Sequence, residues 1–341
     1  MRPLRAACGC LSRRGFLGSG AAALLPGSAA AQDRPGRIDV HHHLYPPAWM
    51  QVAARHATMQ SVQKDWTIEH SIEQMDRAGI QTSLLSIATP GVWFGDPAEA
   101  RQLARLCNEW SAGLVGLHAG RFGNFAMLPL PDIEGSLREI EYALDTLHMD
   151  GVGMFTNYPN NVWLGDPVFA PVYAELNRRR AVVYTHPTNA ECCTNLVSGV
   201  ADPVIEFGTS TTRAFVAMVF NGFATRYPDI SVIFSHAGGT MPFLMERLEF
   251  QAQSVQYRRE LPDGVHPAIR HFHYETAQAA NRQALGTLLE IVPVSQIPFG
   301  TDYPYRQCDE QAANFTAMKL PAADTRAIER DNAVRMMPRL G

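Results

Sequence analysis

The chain has 341 residues, of which 29 are basic and 33 acidic, for a net charge of −4 with histidine neutral. That balance offers no basic field to a phosphate backbone, which excludes a nucleic-acid partner. Apolar residues make up 46% of the chain, enough for a large core, yet no segment beyond the N-terminus is long and apolar enough to span a bilayer.

The first residues read as an address. Ser12-Arg13-Arg14-Gly15-Phe16-Leu17 is a twin-arginine pattern, followed by a weakly apolar stretch from Gly18 to Leu25 and a small-residue cleavage site at Ala29-Ala30-Ala31. Residues 1–31 are therefore expected to be a signal peptide directing export to the periplasm or beyond, leaving no membrane segment after cleavage. Residues 32–341 are long for an average domain but usual for one α/β barrel. Of the cysteines, Cys8 and Cys10 leave with the signal, while Cys107, Cys192, Cys193 and Cys308 remain. No CxxC spacing is present, and the adjacent Cys192 and Cys193 are expected to be ordinary loop residues.

From there strands and helices alternate. Ile38 to His41 is the first strand. Thr67 to Gly79 follows as a helix, with Ile68, Ile72, Met75 and Gly79 on one face. Thr82 to Ala88 is the second strand, and Asp96 caps a helix beginning at Pro97. Phe125 to Leu130 is strand three, with Asp132 opening its helix; Gly151 to Phe155 is strand four, with a helix over Val168 to Arg179. Ala181 to His186 is strand five, and Pro203 to Tyr227 is largely helical. Ile230 to His236, Phe272 to Thr276 and Ile297 to Asp302 are strands six to eight. Helices are expected over Met241 to Gln256, Asn281 to Ile291 and Ala322 to Met337. Eight strands with eight helices predict a (β/α)₈ TIM barrel, in which active sites gather at the C-terminal ends of the strands.

Polar residues cluster at those ends. His41 and His43 close strand one, and strand periodicity turns both into the barrel mouth and His42 away. His186 closes strand five, His236 strand six and Asp302 strand eight. Imidazoles with one carboxylate suit Zn²⁺ or a similar divalent ion such as Mn²⁺ and leave a position open for water or substrate. That chemistry points to a lyase or a hydrolase. Tyr45, Trp49, Trp93, Phe94, Trp163 and Tyr303 lie in or near the expected strand-to-helix loops, with Trp93 and Phe94 the best placed to wall a planar substrate.

With the stretches Thr156-Asn157-Tyr158, Leu164-Gly165-Asp166-Pro167 and Thr211-Thr212-Arg213 added, the whole mature chain resembles the amidohydrolase-related branch of the amidohydrolase superfamily, and within it the metal-dependent decarboxylases. The resemblance implies that His41, His43, His186 and Asp302 bind metal, and that His236, with Asp302, handles protons. It implies a mononuclear site, because strand four ends in Met154-Phe155-Thr156 without Lys or Glu. It also implies a homodimer, in which Arg247, eleven residues after His236, reaches the neighbouring site, with Arg213 a second candidate for the substrate. In the branch that decarboxylates aminocarboxymuconate semialdehyde, an arginine follows strand one; here Trp66 to Asp76 carries Ser71 and Glu73 instead, which points to another aromatic acid. The expected activity is non-oxidative decarboxylation of an aromatic or enol-type acid, the alternative being hydrolysis of a lactone, ester or amide.

Overall fold

The computed structural model describes residues 36–341, so the expected signal peptide lies outside the described residues. Seven parallel strands follow one another in chain order around a curled sheet: β1 Arg37–His43, β2 Ile80–Ser86, β3 Phe122–Met127, β4 Gly151–Phe155, β5 Val182–His186, β6 Ser231–Phe234 and β7 His273–Tyr274. Register aligns their C-terminal ends: His43 lies opposite Ser86, Phe155 opposite His186, and Phe234 opposite Tyr274. Nearly every strand residue is buried, polar ones included, because both faces of the sheet are covered, as parallel sheets require.

Among the expected strands, the eighth is the one that does not form. Residues 297–302 do not form a regular strand. Val40 N donates to Phe299 O (2.9 Å) and Asp302 N to His41 O (2.7 Å), so the segment does pair with β1. Side chains supplement the ladder: on the β7 side the Thr276 hydroxyl accepts from Gly300 N (3.1 Å), and on the β1 side Asp39 accepts from Thr301 N (3.0 Å) and from the Thr301 hydroxyl (2.6 Å). Asp302 then leaves extended geometry altogether, at φ 66°. A side chain on Gly300 would collide with Glu275, so only glycine lets the segment pass that carboxylate.

The helix starts behave as their caps dictate. Thr67 accepts from His70 N (3.1 Å), Asp96 from Ala98 N (2.7 Å) ahead of Pro97, and Asp132 from Gly135 N (3.1 Å). Later helices are more broken than expected. Met241 to Gln256 holds a regular helix only over Met245–Ala252, and Asn281 to Ile291 only over Leu285–Leu289, where the Asn281 side chain accepts from Gln283 N and Ala284 N and forms a turn first. None of the described helices is long and apolar enough to cross a membrane.

His273 is buried at the start of β7. Burial, then Arg335, push it down to about 4. The unfolded chain takes up a proton near its ordinary value of about 6.5, whereas the folded chain resists until about 4. This residue's share of stability is therefore whole above pH 6.5 and lost as pH falls toward 4, an effect on the order of 3 kcal/mol. The gap in melting temperature between pH 7 and pH 4.5 is expected to narrow in His273→Gln; an unchanged gap would show that other groups set the acid limit.

Candidate metal centre

Four side chains from β1, β5 and the segment after β7 meet at one point. His41, His43, His186 and Asp302 are all buried, and each offers a ligand atom within 4.8 Å of the others. Asp302 Oδ1 lies 3.1 Å from both His41 Nε2 and His43 Nε2. Each imidazole is oriented from behind. His41 Nδ1 meets Glu275 Oε1 at 2.9 Å, His43 Nδ1 meets the Ser86 carbonyl at 3.2 Å, and His186 Nδ1 meets the Pro187 carbonyl at 2.8 Å. Every Nδ1 thus has an acceptor, which leaves the Nε2 lone pairs for the centre, the arrangement that metal-binding histidines need.

The electrostatics agree. Burial and the charge of His41 hold His43 below the usual histidine range; burial, His43 and His41 hold His186 well below it. Both are neutral donors at pH 7. His41 is the exception. Burial lowers it, but Asp302 and Glu275 outweigh burial and lift it to about 10. Asp302 is itself held well below the carboxylate range: burial raises it, and His41 and the hydrogen bonds from the surrounding histidines more than reverse that. Two buried carboxylates against one imidazole call for positive charge at this spot, and a divalent cation answers that call as a proton does.

His42 turns away as the strand period requires. Its Nε2 lies 2.6 Å from Ser71 Oγ and its Nδ1 3.1 Å from Asp39 Oδ2. Ser71 is therefore committed to β1, while Glu73 is exposed and pairs with Arg77.

His236 sits beside the four, its Nε2 3.5 Å from Asp302 Oδ2, buried and without a hydrogen-bond partner among the described residues. The residue adopts φ 54°, Ala237 φ 56° and Gln278 φ 54°, and Gln278 donates to Asp302 Oδ2. With Asp302 that places four non-glycine residues in the left-handed region around one point, the kind of strain that surrounding structure sustains at functional sites. His236 N donates to Glu275 Oε1 at 2.6 Å. Glu275 therefore fixes both His41 and His236. Sequence reasoning missed it; the only signal was an acid inside an apolar strand end, Phe272 to Thr276.

A cavity of about 180 Å³ opens at the ends of β2 to β5, walled by Trp93, Met127, Leu128, Phe155 and Tyr158, with Asn157, Thr188, Asn189 and Glu191 at its polar side. Phe155 links it to the centre, its ring 6.0 Å from that of His186. Trp93 lies in this wall. Phe94 does not: it stacks on His56 at 4.5 Å and 10°. Arg213 is outside the lining, 3.3 Å from Glu206 and 5.8 Å from the Trp163 ring. Arg247 borders an outer groove of about 860 Å³ with Val216, Phe220, Phe250 and Tyr257.

The amidohydrolase family model matches residues 38–339. The chain belongs to the amidohydrolase family. Among its relatives in that family, 6-methylsalicylic acid decarboxylase of Penicillium expansum is 34% identical over 313 residues, covering 89% of this chain and 97% of the relative. Decarboxylase yanB of Aspergillus niger is 33% identical over 322 residues, covering 89% and 88%. A dihydroxybenzoic acid decarboxylase from Polaromonas, solved with manganese and 2-nitroresorcinol, superposes with a TM-score of 0.80 at 22% identity, covering 89% and 97%, and so shares the fold.

Replacing Glu275 with Gln is expected to preserve the fold and weaken divalent-metal affinity about 10- to 100-fold, the usual effect of losing a carboxylate behind a ligating imidazole. A metal titration of the variant checks this; parental affinity would show that Glu275 only packs.

Proposed function

We propose that this amidohydrolase-family protein is a metal-dependent, non-oxidative decarboxylase of an aromatic acid of the 2-hydroxybenzoate type. The observation that carries the reading is the convergence of three back-anchored imidazoles and Asp302 beside a cavity walled partly by aromatic rings; two of the proteins named above are a 6-methylsalicylic acid decarboxylase and a dihydroxybenzoic acid decarboxylase. The site closes an α/β barrel in which residues 297–302 serve as the eighth stave.

His41, His43, His186 and Asp302 would hold one divalent ion, zinc by this donor set with manganese the alternative. When bound, the ion supplies Lewis-acid charge for the substrate's carboxylate and phenolic oxygens. Trp93 and Phe155 hold the ring plane and exclude water. As the bond to the carboxylate carbon breaks, its electron pair stays on the ring carbon, and His236 delivers a proton there from Nε2, with Asp302 Oδ2 as its neighbour. No Lys or Glu at the end of β4 is available to bridge a second ion.

Export by the twin-arginine route belongs to the same reading and rests on residues 12–31. So does the homodimer. Phe243, Phe250 and Val255 are 91%, 75% and 71% exposed near the groove that holds Arg247, an apolar face suited to a second copy that would receive this arginine. Hydrolysis by a metal-activated water is the competing reading of the same centre. Incubating the metal-loaded protein with a panel of 2-hydroxybenzoates and of aryl lactones, and following CO₂ and acid release separately, tests the two. CO₂ from the benzoates with the lactones intact is the expected result; the reverse overturns it.

A further inference from the structure

Beyond the metal centre, the rim of the aromatic cavity carries a pair of thiols that the proposed reaction does not use. The turn Glu191–Cys193 follows β5 by a few residues, and Glu191 itself lines the cavity. The turn is pinned to the opposing turn Pro159–Asn161: Asn160 N donates to Glu191 Oε1 (3.3 Å) and Cys192 N to Asn161 Oδ1 (3.4 Å). Within it, Cys192 Sγ and Cys193 Sγ are 2.6 Å apart, with Cys192 exposed and Cys193 buried. The two thiols therefore face one another within a single turn.

We propose that Cys192 and Cys193 form a reversible vicinal disulfide, a redox site on the rim of the cavity. Adjacent Cα atoms are about 3.8 Å apart, whereas unstrained disulfides span about 4.4–6.8 Å. The ring is therefore strained, and a strained, exposed disulfide belongs to the labile class rather than to the structural one. The exchange balances with a disulfide oxidant such as oxidised glutathione. The exposed Cys192 thiolate attacks one glutathione sulfur, breaking that S–S bond and releasing one glutathione thiolate. Cys193 then gives up its proton and attacks Cys192 Sγ, which releases the second. Two thiols are oxidised and one glutathione disulfide is reduced. Closure fixes the turn that carries Glu191 and so stiffens one edge of the cavity.

The test uses the full chain carrying Cys8→Ser and Cys10→Ser, which removes the other close thiol pair, first reduced and freed of reductant, then exposed without denaturant to oxidised glutathione. Intact-mass and peptide analysis are expected to show loss of two hydrogens, confined to the peptide holding both cysteines, while buried Cys107 and Cys308 stay reduced. The reduced protein should bind one equivalent of phenylarsine oxide, a probe for paired thiols, and the oxidised protein none. Amide exchange over residues 188–195 should slow on oxidation. Cys192→Ser and Cys193→Ser should each abolish both the arsenical binding and the internal disulfide. A stable glutathione adduct on Cys192 in the parent protein, or arsenical binding that survives both variants, would overturn the proposal. None of these readouts depends on turnover, so the result stands apart from that of the decarboxylation assay.

Discussion

Asp302→Asn is expected to leave a folded protein that has lost its metal and its activity. Asn keeps the shape, tolerates the left-handed backbone at φ 66°, and retains the backbone bond from residue 302 N to His41 O. It removes the charge that sits 3.1 Å from both His41 and His43 and that, with Glu275, draws positive charge into a buried centre. Asparagine is used because Asp302→Ala adds a backbone penalty of about 1–2 kcal/mol for a left-handed alanine. His43→Ala tests the same point from β1 without that complication. Circular dichroism near that of the parent, with metal content close to none and turnover lost, is the expected outcome for both. Full activity in either variant would end the assignment of the centre.

The second large effect concerns His236. His236→Ala is expected to keep metal near parental occupancy while kcat falls by about two to four orders of magnitude, the usual size of a lost general acid–base group. KM should move less, because the four convergent side chains and the aromatic wall still hold the substrate. The geometry separates three roles. As proton donor, His236 acts through the Nε2 that has no partner among the described residues. As a ligand, its loss would lower occupancy and turnover together. As a structural brace, through the packing of its ring on that of His41 (5.2 Å between centroids), loss of the side chain would lower the melting temperature and leave kcat intact. Metal content, melting temperature and kcat on this one variant distinguish them, and an unchanged kcat would refute the proton-transfer role.

How much of this was visible in the sequence depends on the length of the element and on what each residue's partner is. β4 occupies the residues expected, and the capped helices start where Thr67, Asp96 and Asp132 place them, because a cap is a local hydrogen bond. His41, His43, His186 and Asp302 stood out because polar residues end apolar runs, and one sheet gathers those ends. Glu275 did not stand out. It follows a strand of two residues, and its importance lies in contacts with His41, 234 positions earlier, and with His236. The irregular segment 297–302 was likewise hidden, since its apolar run reads as a strand while Thr276 and Asp39 supply bonds that a ladder would otherwise make. Phe94 and Trp93 are neighbours in sequence yet only Trp93 lines the cavity; which of two adjacent aromatics faces a pocket is set by a loop that pattern does not describe.

The proposed reaction replaces a ring carboxylate with a proton at the metal-loaded centre. The most direct measurement is turnover of 6-methylsalicylate in deuterium oxide, with CO₂ release and ring labelling followed together. One deuteron is expected at the carbon that carried the carboxylate for each CO₂ released by the metal-loaded protein, and neither after the metal is chelated. Intact substrate with the metal in place, together with acid release from an aryl lactone and no ring deuterium, would contradict it.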